Sequence, residues 1–76
     1  MTKDMHKVLD EFTAGRRFSS GTLSTDGTTI FSYMFPIAKR MPSGVYLIKS
    51  YPSKTTQRAI NDLAREFPHA ERVNDL

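Results

Sequence analysis

The sequence predicts a small α+β domain in which two helices flank a mainly antiparallel sheet of three to four strands, in the order α-β-β-β-β-α. Short segments rich in Thr, Ile, Phe and Tyr occupy residues 21–49 and are separated by two turn signals. One apolar stripe with helical spacing precedes this stretch, and another follows it. Short connections favour antiparallel pairing between neighbouring strands.

The first turn signal is Asp26-Gly27. Both central residues of a type I′ turn need a positive φ, which Asp and Gly adopt at low cost. Residues 22–25 are therefore predicted to pair with residues 28–34. Alternation along the second arm predicts that three aromatic side chains share one face of the sheet: Phe31, Tyr33 and Phe35.

The second half of the predicted sheet begins after Pro36, which has no N–H to donate and predicts a bend or bulge. A short strand over 37–41 should follow, then a turn at 42–44 and a strand over 45–49. Apolar residues alternate onto both faces of this last strand. This pattern indicates helices or a partner chain on both sides, or a strongly curled sheet.

The flanking segments predict the two helices. The first covers 2–14, with Thr2 as N-cap and Gly15 beyond its end. The second covers 54–67 and has Ser53 as N-cap. Their apolar stripes are Met5, Val8, Leu9 and Phe12 in the first helix, and Ile60, Leu63, Ala64 and Phe67 in the second.

On the second helix, Arg58 and Asp62 are predicted to lie on the polar side as an i,i+4 pair. Residues 68–76 show no periodicity and are predicted to form a loose tail of a single domain spanning 1–76. The predicted core residues are Phe12, Phe31, Leu47, Ile60, Leu63 and Phe67.

Length and composition restrict the classes of protein. A domain of 76 residues buries only about 60% of its unfolded surface, so a homodimer is one way to gain burial. The chain has no cysteine, and its first residues lack the apolar run of a signal peptide. No stretch approaches the roughly 20 apolar residues of a membrane span. We therefore expect no membrane partner and a cytoplasmic location.

Positive charge is concentrated in the middle of the chain. Residues 16–65 contain eight Lys or Arg against two acids, a net charge of +6, whereas 1–15 carry −1 and 66–76 carry −2. A basic centre between acidic ends attracts polyanions. The same charge is also ordinary for a solvated surface that keeps a small domain in solution.

The residues with reactive side chains do not form a catalytic set. The two histidines stand near opposite ends of the chain, no nucleotide-binding loop such as GxxxxGK[ST] occurs, and no Ser or Thr has an evident base partner. We expect no enzyme activity, no catalytic residue, no metal site and no cofactor.

One segment has a specific arrangement of anion-binding groups. At the start of the second helix, free N–H groups, two hydroxyls and two cations converge on the positive end of the helix dipole. The alternative is an ordinary N-cap whose hydroxyls bond locally. Among the aromatic residues, Tyr33 and Tyr51 are expected to reach solvent, where they can stack on bases. The predicted nucleic-acid or anion site is Lys39, Arg40, Lys49, Ser53, Lys54, Thr55, Thr56 and Arg58.

Three segments within 20–62 together resemble a family of small phage- and virus-encoded domains: GTLSTDGTTIFSY, PIAKR and YPSKTTQRAIN. That family has no established activity, so the resemblance implies no site residues. Its members often have a His in the helix after Thr-Thr, where this chain has Arg58 and Ala59. A phage-type origin implies one of two roles, either binding nucleic acid or binding a host protein.

Two functions therefore compete. The first is a non-enzymatic phage-type accessory protein that binds nucleic acid through a basic face. The alternative is a protein–protein module that binds and inhibits a host complex of defence or transcription. Steep salt dependence of binding distinguishes the first from the second, since phosphate contacts release counterions.

Overall fold

The computed structural model describes residues 1–76 and consists of two helices and a six-stranded sheet. The elements in chain order are α1 Lys3–Ala14, β1 Phe18–Ser20, β2 Leu23–Thr25, β3 Thr29–Ser32, β4 Phe35–Met41, β5 Gly44–Ile48, α2 Lys54–Glu66 and β6 Glu71–Val73. The strands lie in the sheet in the same order as in the chain. Neighbouring strands are antiparallel except β5 and β6, which are parallel and joined through α2.

The α+β class and the mainly antiparallel sheet are confirmed, whereas the predicted number of strands, three to four, is too low. Five strands, rather than four, separate the helices, and a sixth follows α2. The prediction of a loose tail over 68–76 is wrong, because Glu71–Val73 pairs with β5. The Arg72 guanidinium fixes this strand further by donating to the carbonyls of Ile48 and Lys49.

Both helices begin at the predicted caps. The Thr2 hydroxyl accepts a hydrogen bond from the N–H of Met5 at 3.1 Å, and the Ser53 hydroxyl accepts one from Thr56 at 3.4 Å. At the other end of α1, Gly15 has φ 74°, a left-handed conformation that suits glycine. The capping residues in the sequence therefore predicted the start of each helix correctly.

The two helices cover the same face of the sheet. Ser20 and Ser32 both pair with Leu23, so the three side chains point to one side. On that side the Ser20 hydroxyl donates to Asp4 of α1 at 2.6 Å. The Ser32 hydroxyl meets that of Thr56 in α2 at 2.9 Å. Coverage by helices is therefore one-sided.

Twelve buried apolar residues form the core between the helices and the sheet. Four of the six predicted core residues are fully buried: Phe12, Leu47, Ile60 and Leu63. The other two are only partly buried. Phe31 pairs with Ser24 and Pro36 and points to the side away from the helices, and Phe67 ends α2 with its ring 6.2 Å from that of Phe12.

The predicted position of Asp62 on the polar side of α2 is wrong. Asp62 is 4% exposed, and its carboxylate accepts a hydrogen bond from Arg65, not Arg58. Asp62 lies at the margin of the apolar stripe, and the start of α1 approaches that margin. The helical pattern alone therefore leaves on the surface a residue that the folded chain buries.

The Asp26-Gly27 hairpin is present, but its turn is not of type I′. Thr25 pairs with Ile30, and Asp26 does not adopt a positive φ, whereas Gly27 has φ 98°. The Asp26 carboxylate accepts hydrogen bonds from the N–H groups of Thr28 and Thr29 at 2.9 and 2.8 Å. These bonds, first that from Thr28, lower the pKa of Asp26, because they stabilise its charged form.

The buried hydroxyl pair between β3 and α2 provides a test of the packing. Replacing Ser32 with alanine leaves the Thr56 hydroxyl, which is 1% exposed, without its partner. We expect S32A to lower the free energy of unfolding by about 1–3 kcal/mol. The double variant S32A/T56V, which removes both polar groups, should recover much of this loss. Urea denaturation of the unaltered protein, S32A, T56V and S32A/T56V measures the coupling, and additive losses would show that the two hydroxyls do not interact.

Candidate nucleic-acid interface

A second hairpin turn lies where the sequence predicts an unbroken strand. β3 ends at Ser32 and β4 starts at Phe35, and these residues pair with each other. Tyr33 and Met34 alone connect the strands, with φ 52° and 67°. Two consecutive positive φ values are the requirement of a type I′ turn. Strand pairing up to 34 and the shared face of Phe31, Tyr33 and Phe35 are therefore wrong.

The side chains of this turn project into solvent. Tyr33 is 60% exposed and Met34 is 89% exposed, which makes them two of the three exposed large apolar residues of the chain. The backbone of the turn is held in place, because the N–H of Tyr33 donates to the carbonyl of Thr22 at 2.8 Å. The prediction that Tyr33 reaches solvent is confirmed. Tyr51 is only partly exposed, and its ring lies 4.4 Å from that of Phe35.

Left-handed backbone is unfavourable for residues of this size. A side chain with a Cβ costs roughly 1–2 kcal/mol in that region, and Asn-Gly is the usual solution. Tyr33 and Met34 are the only residues other than glycine with a positive φ. The tip of the β3–β4 hairpin is therefore a strained turn that presents two large side chains.

The start of α2 lies next to this hairpin. The hydroxyl contact between Ser32 and Thr56 joins the residue before the turn to the first turn of α2. The loop before α2 is also tied down, since the N–H of Tyr51 donates to the Gln57 side chain at 3.0 Å. The hairpin tip and the N-terminus of α2 consequently occupy one end of the molecule, which we call the tip end: Thr22, Tyr33, Met34 and residues 51–58.

A cleft of about 310 Å³ opens between α1, the β1–β2 turn and α2. Thr22, whose carbonyl accepts the N–H of Tyr33, lines the cleft from the β1–β2 turn, and Lys54, Thr55 and Arg58 line it from α2. The residues around it are Thr2, Asp4, Met5, Thr22, Leu23, Lys54, Thr55, Arg58, Ala59 and Asp62. The cleft therefore contains charged groups of both signs.

The carboxylates of the cleft have partners, whereas its cations form no salt bridge. Asp4 accepts the Ser20 hydroxyl, and Asp62 accepts from Arg65. Lys54 and Arg58 are exposed and take part in no ion pair within the chain. Each stands in the first turn and a half of α2, at the positive end of its dipole.

The predicted site residues divide into two groups. Ser53, Lys54, Thr55 and Arg58 come together at the start of α2. Thr56 belongs to the same turn but is buried, so it supports the turn and does not face solvent. Ser53 uses its hydroxyl to cap the helix.

Lys39, Arg40 and Lys49 do not line the cleft. The Arg40 guanidinium lies 4.3 Å from the centre of the Phe12 ring and donates to the carbonyls of Phe12 and Gly27. It therefore caps the end of α1. Lys39 lies on the sheet face away from the helices, and Lys49 follows β5, where its N–H donates to Val73.

Arg16 is also paired within the chain. Arg16 forms two hydrogen bonds to the Glu11 carboxylate at 2.9 and 2.8 Å. This contact lowers the pKa of Glu11 and raises that of Arg16, because each charge stabilises the other. Glu11 and Arg16 thus form a local ion pair at the end of α1. The neighbouring Arg17 takes part in no salt bridge.

Comparison of the chain with models of protein families, with curated proteins and with solved structures found no match. The resemblance to small phage-encoded domains therefore stays a prediction. Within the chain, no helix has the length and apolarity needed to cross a membrane, and no group of three or more His, Asp or Glu side chains is placed to hold a metal ion.

Sequence reasoning missed the most exposed part of the tip end. The turn at Tyr33-Met34 contains none of the residues that normally indicate a turn, and the apolar alternation runs through it. One signal was present: Pro36 limits the pairing of β4. A β-bulge at this point in the β3–β4 pairing confirms the predicted irregularity.

Proposed function

We propose that this protein is a non-enzymatic accessory protein that binds nucleic acid through the tip end. One observation carries the proposal: Lys54 and Arg58 stand one turn apart at the N-terminus of α2 and form no salt bridge. Of the carboxylates in the cleft, Asp62 is paired with Arg65, and Asp4 accepts a hydrogen bond from the neutral Ser20 hydroxyl. The N–H groups of Lys54 and Thr55 have no carbonyl partner and add to the positive end of the helix.

Phosphate is the ligand chemistry that fits this arrangement. Two cations spaced by four residues on one helix lie on the same side. A polyanion such as DNA or RNA offers several phosphates in a row and is attracted by the net charge of +6 between residues 16 and 65. The phage-type resemblance adds that this role is exerted in a host cytoplasm.

The double variant K54A/R58A tests the proposal. We expect its affinity for an oligonucleotide to fall similarly for different base sequences, because phosphates carry no sequence information. The slope of log K against log[salt] should become shallower by roughly 1.4 for a single strand, since two phosphate contacts are lost. Fluorescence anisotropy titrations at several salt concentrations measure both quantities.

The matched control is K7A/R17A, which removes the same charge from exposed positions outside the cleft. It should change the slope much less than K54A/R58A. Equal effects of the two double variants would mean that only the net charge matters and would contradict a site on α2.

The alternative is a module that binds and inhibits a host protein complex. The exposed apolar pair Tyr33 and Met34 favours it, because contacts between proteins are centred on such side chains. Failure of the unaltered protein to bind DNA or RNA at low salt would put this alternative first.

A further inference from the structure

We propose, on the premise that the tip end binds nucleic acid, that its ligand is single-stranded and that an unpaired base stacks on the Tyr33 ring. The observation is the conformation of the β3–β4 turn. Tyr33 is 60% exposed although its backbone has φ 52°. A turn that needed only to connect two strands is formed more favourably by Asn-Gly. Strain at a well-defined exposed position is typical of sites that contact a ligand.

The Tyr33 ring is attached to a well-ordered stretch of backbone. Ser32 and Phe35 pair directly below it, so the connection has only two residues. The N–H of Tyr33 is bonded to the carbonyl of Thr22 in the neighbouring turn. A ring on such a short connection loses little backbone freedom on binding, which lowers the entropic cost of a stacking contact.

The backbone that carries the ring is also linked to the cleft that contains Lys54 and Arg58. Thr22 holds Tyr33 and lines the cleft together with Lys54 and Arg58. Ser32, the residue before the ring, contacts Thr56, which lies between the two cations in the sequence. A stacking aromatic beside a basic groove is the arrangement by which proteins hold single strands without reading their sequence.

The stacking contact distinguishes a single strand from a duplex. Inside a duplex both faces of each base are covered by its neighbours, so away from the ends an aromatic ring reaches a base face only after unstacking. Lys54 and Arg58 in the cleft argue against a partner protein that would bind Tyr33 in a hydrophobic pocket, since that pocket would also need an acidic rim. A single nucleic-acid strand suits both features, because its phosphates match the two cations and its bases match the ring.

The test uses fluorescein-labelled oligothymidylate and oligouridylate of about ten nucleotides, a length within the usual site sizes. A blunt duplex of similar length is the comparison. We expect the unaltered protein to bind both single strands more tightly than the duplex. Y33A should weaken single-strand binding by roughly 5- to 150-fold, the range for one lost stacking contact, and should leave duplex binding unchanged. Y33F, which keeps the ring, should bind like the unaltered protein.

Intrinsic fluorescence gives a second readout. The chain has three tyrosines and no tryptophan, so its emission comes from tyrosine. Stacking should quench part of this emission on addition of unlabelled oligothymidylate. In Y33F the quenching should disappear although binding persists, which a purely structural role of the ring does not predict.

The variant Y33N/M34G separates binding from folding. It replaces the strained pair with the residues that the turn prefers, so its melting temperature should rise while single-strand affinity falls as in Y33A. Loss of binding in this variant cannot come from unfolding.

The outcomes distinguish the inference from its premise. If the unaltered protein binds neither strand nor duplex at low salt, the proposed function fails and the inference fails with it. If K54A/R58A weakens binding but single strand and duplex bind equally and Y33A changes nothing, the proposed function stands and the inference is overturned. The inference would also be overturned if the unaltered protein preferred the duplex and M34A lost that preference. The hairpin tip would then act as an apolar wedge between base pairs.

Discussion

Replacement of Phe12 with alanine is expected to lower the free energy of unfolding by about 3–5 kcal/mol. Phe12 is 1% exposed and joins three parts of the fold. Its ring meets the edge of Phe67 beyond α2 at 6.2 Å, and the Arg40 guanidinium of β4 lies 4.3 Å from its centre. Alanine removes all of these contacts and leaves a cavity. In a chain of 76 residues, this loss is a large fraction of the stability expected from about 0.05–0.15 kcal/mol per residue.

Phe31 provides the matched control for this substitution. It is also a phenylalanine, but it is partly exposed and lies on the sheet face away from the helices. We expect F31A to lower the free energy of unfolding by only about 1 kcal/mol, because the ring is partly exposed and water can fill much of the space that it leaves. Thermal and urea melts of both variants measure the difference. Equal losses would contradict the one-sided position of the core.

The second large effect is a gain of stability at the hairpin tip. Y33N/M34G should raise the free energy of unfolding by about 1–2 kcal/mol, since it relieves left-handed strain at two residues and pays only the backbone entropy of one glycine. For a domain of this size each kcal/mol corresponds to roughly 4–8 °C in melting temperature. Calorimetry measures the shift.

The single variant M34G is the intermediate in this series and should give part of the gain. A melting temperature that stays unchanged or falls in both variants would show that the turn is not strained. Greater stability with weaker binding would place Tyr33 and Met34 among residues retained for function at the expense of folding.

The elements determined by local sequence were predictable. Thr2, Gly15 and Ser53 fix the helix ends through bonds within a few residues, and the apolar spacing of α1 and α2 gives their buried faces. Strands β1 and β6 were not predictable in the same way. Each has three residues without apolar alternation, and each exists because a neighbouring strand offers hydrogen-bond partners.

The candidate site was predictable only as far as its charges lie on one helix. Lys54 and Arg58 follow a recognisable N-cap, and the structure keeps them free of ion pairs. The role of Arg40 depends on the distant carbonyls of Phe12 and Gly27, which no local pattern indicates. The turn at Tyr33-Met34 was hidden because its residues resemble those of a strand.

The most direct test of the account is an NMR titration of the ¹⁵N-labelled protein with unlabelled oligothymidylate at low salt. We expect the largest amide shift changes to cluster at the tip end: Thr22, Tyr33, Met34 and residues 51–58. Amides of residues whose side chains point to the sheet face away from the helices, such as Lys39 and Tyr46, should move little. Changes centred on that sheet face, or an unchanged spectrum at saturating oligonucleotide, would contradict the proposal that nucleic acid binds where the hairpin tip meets α2.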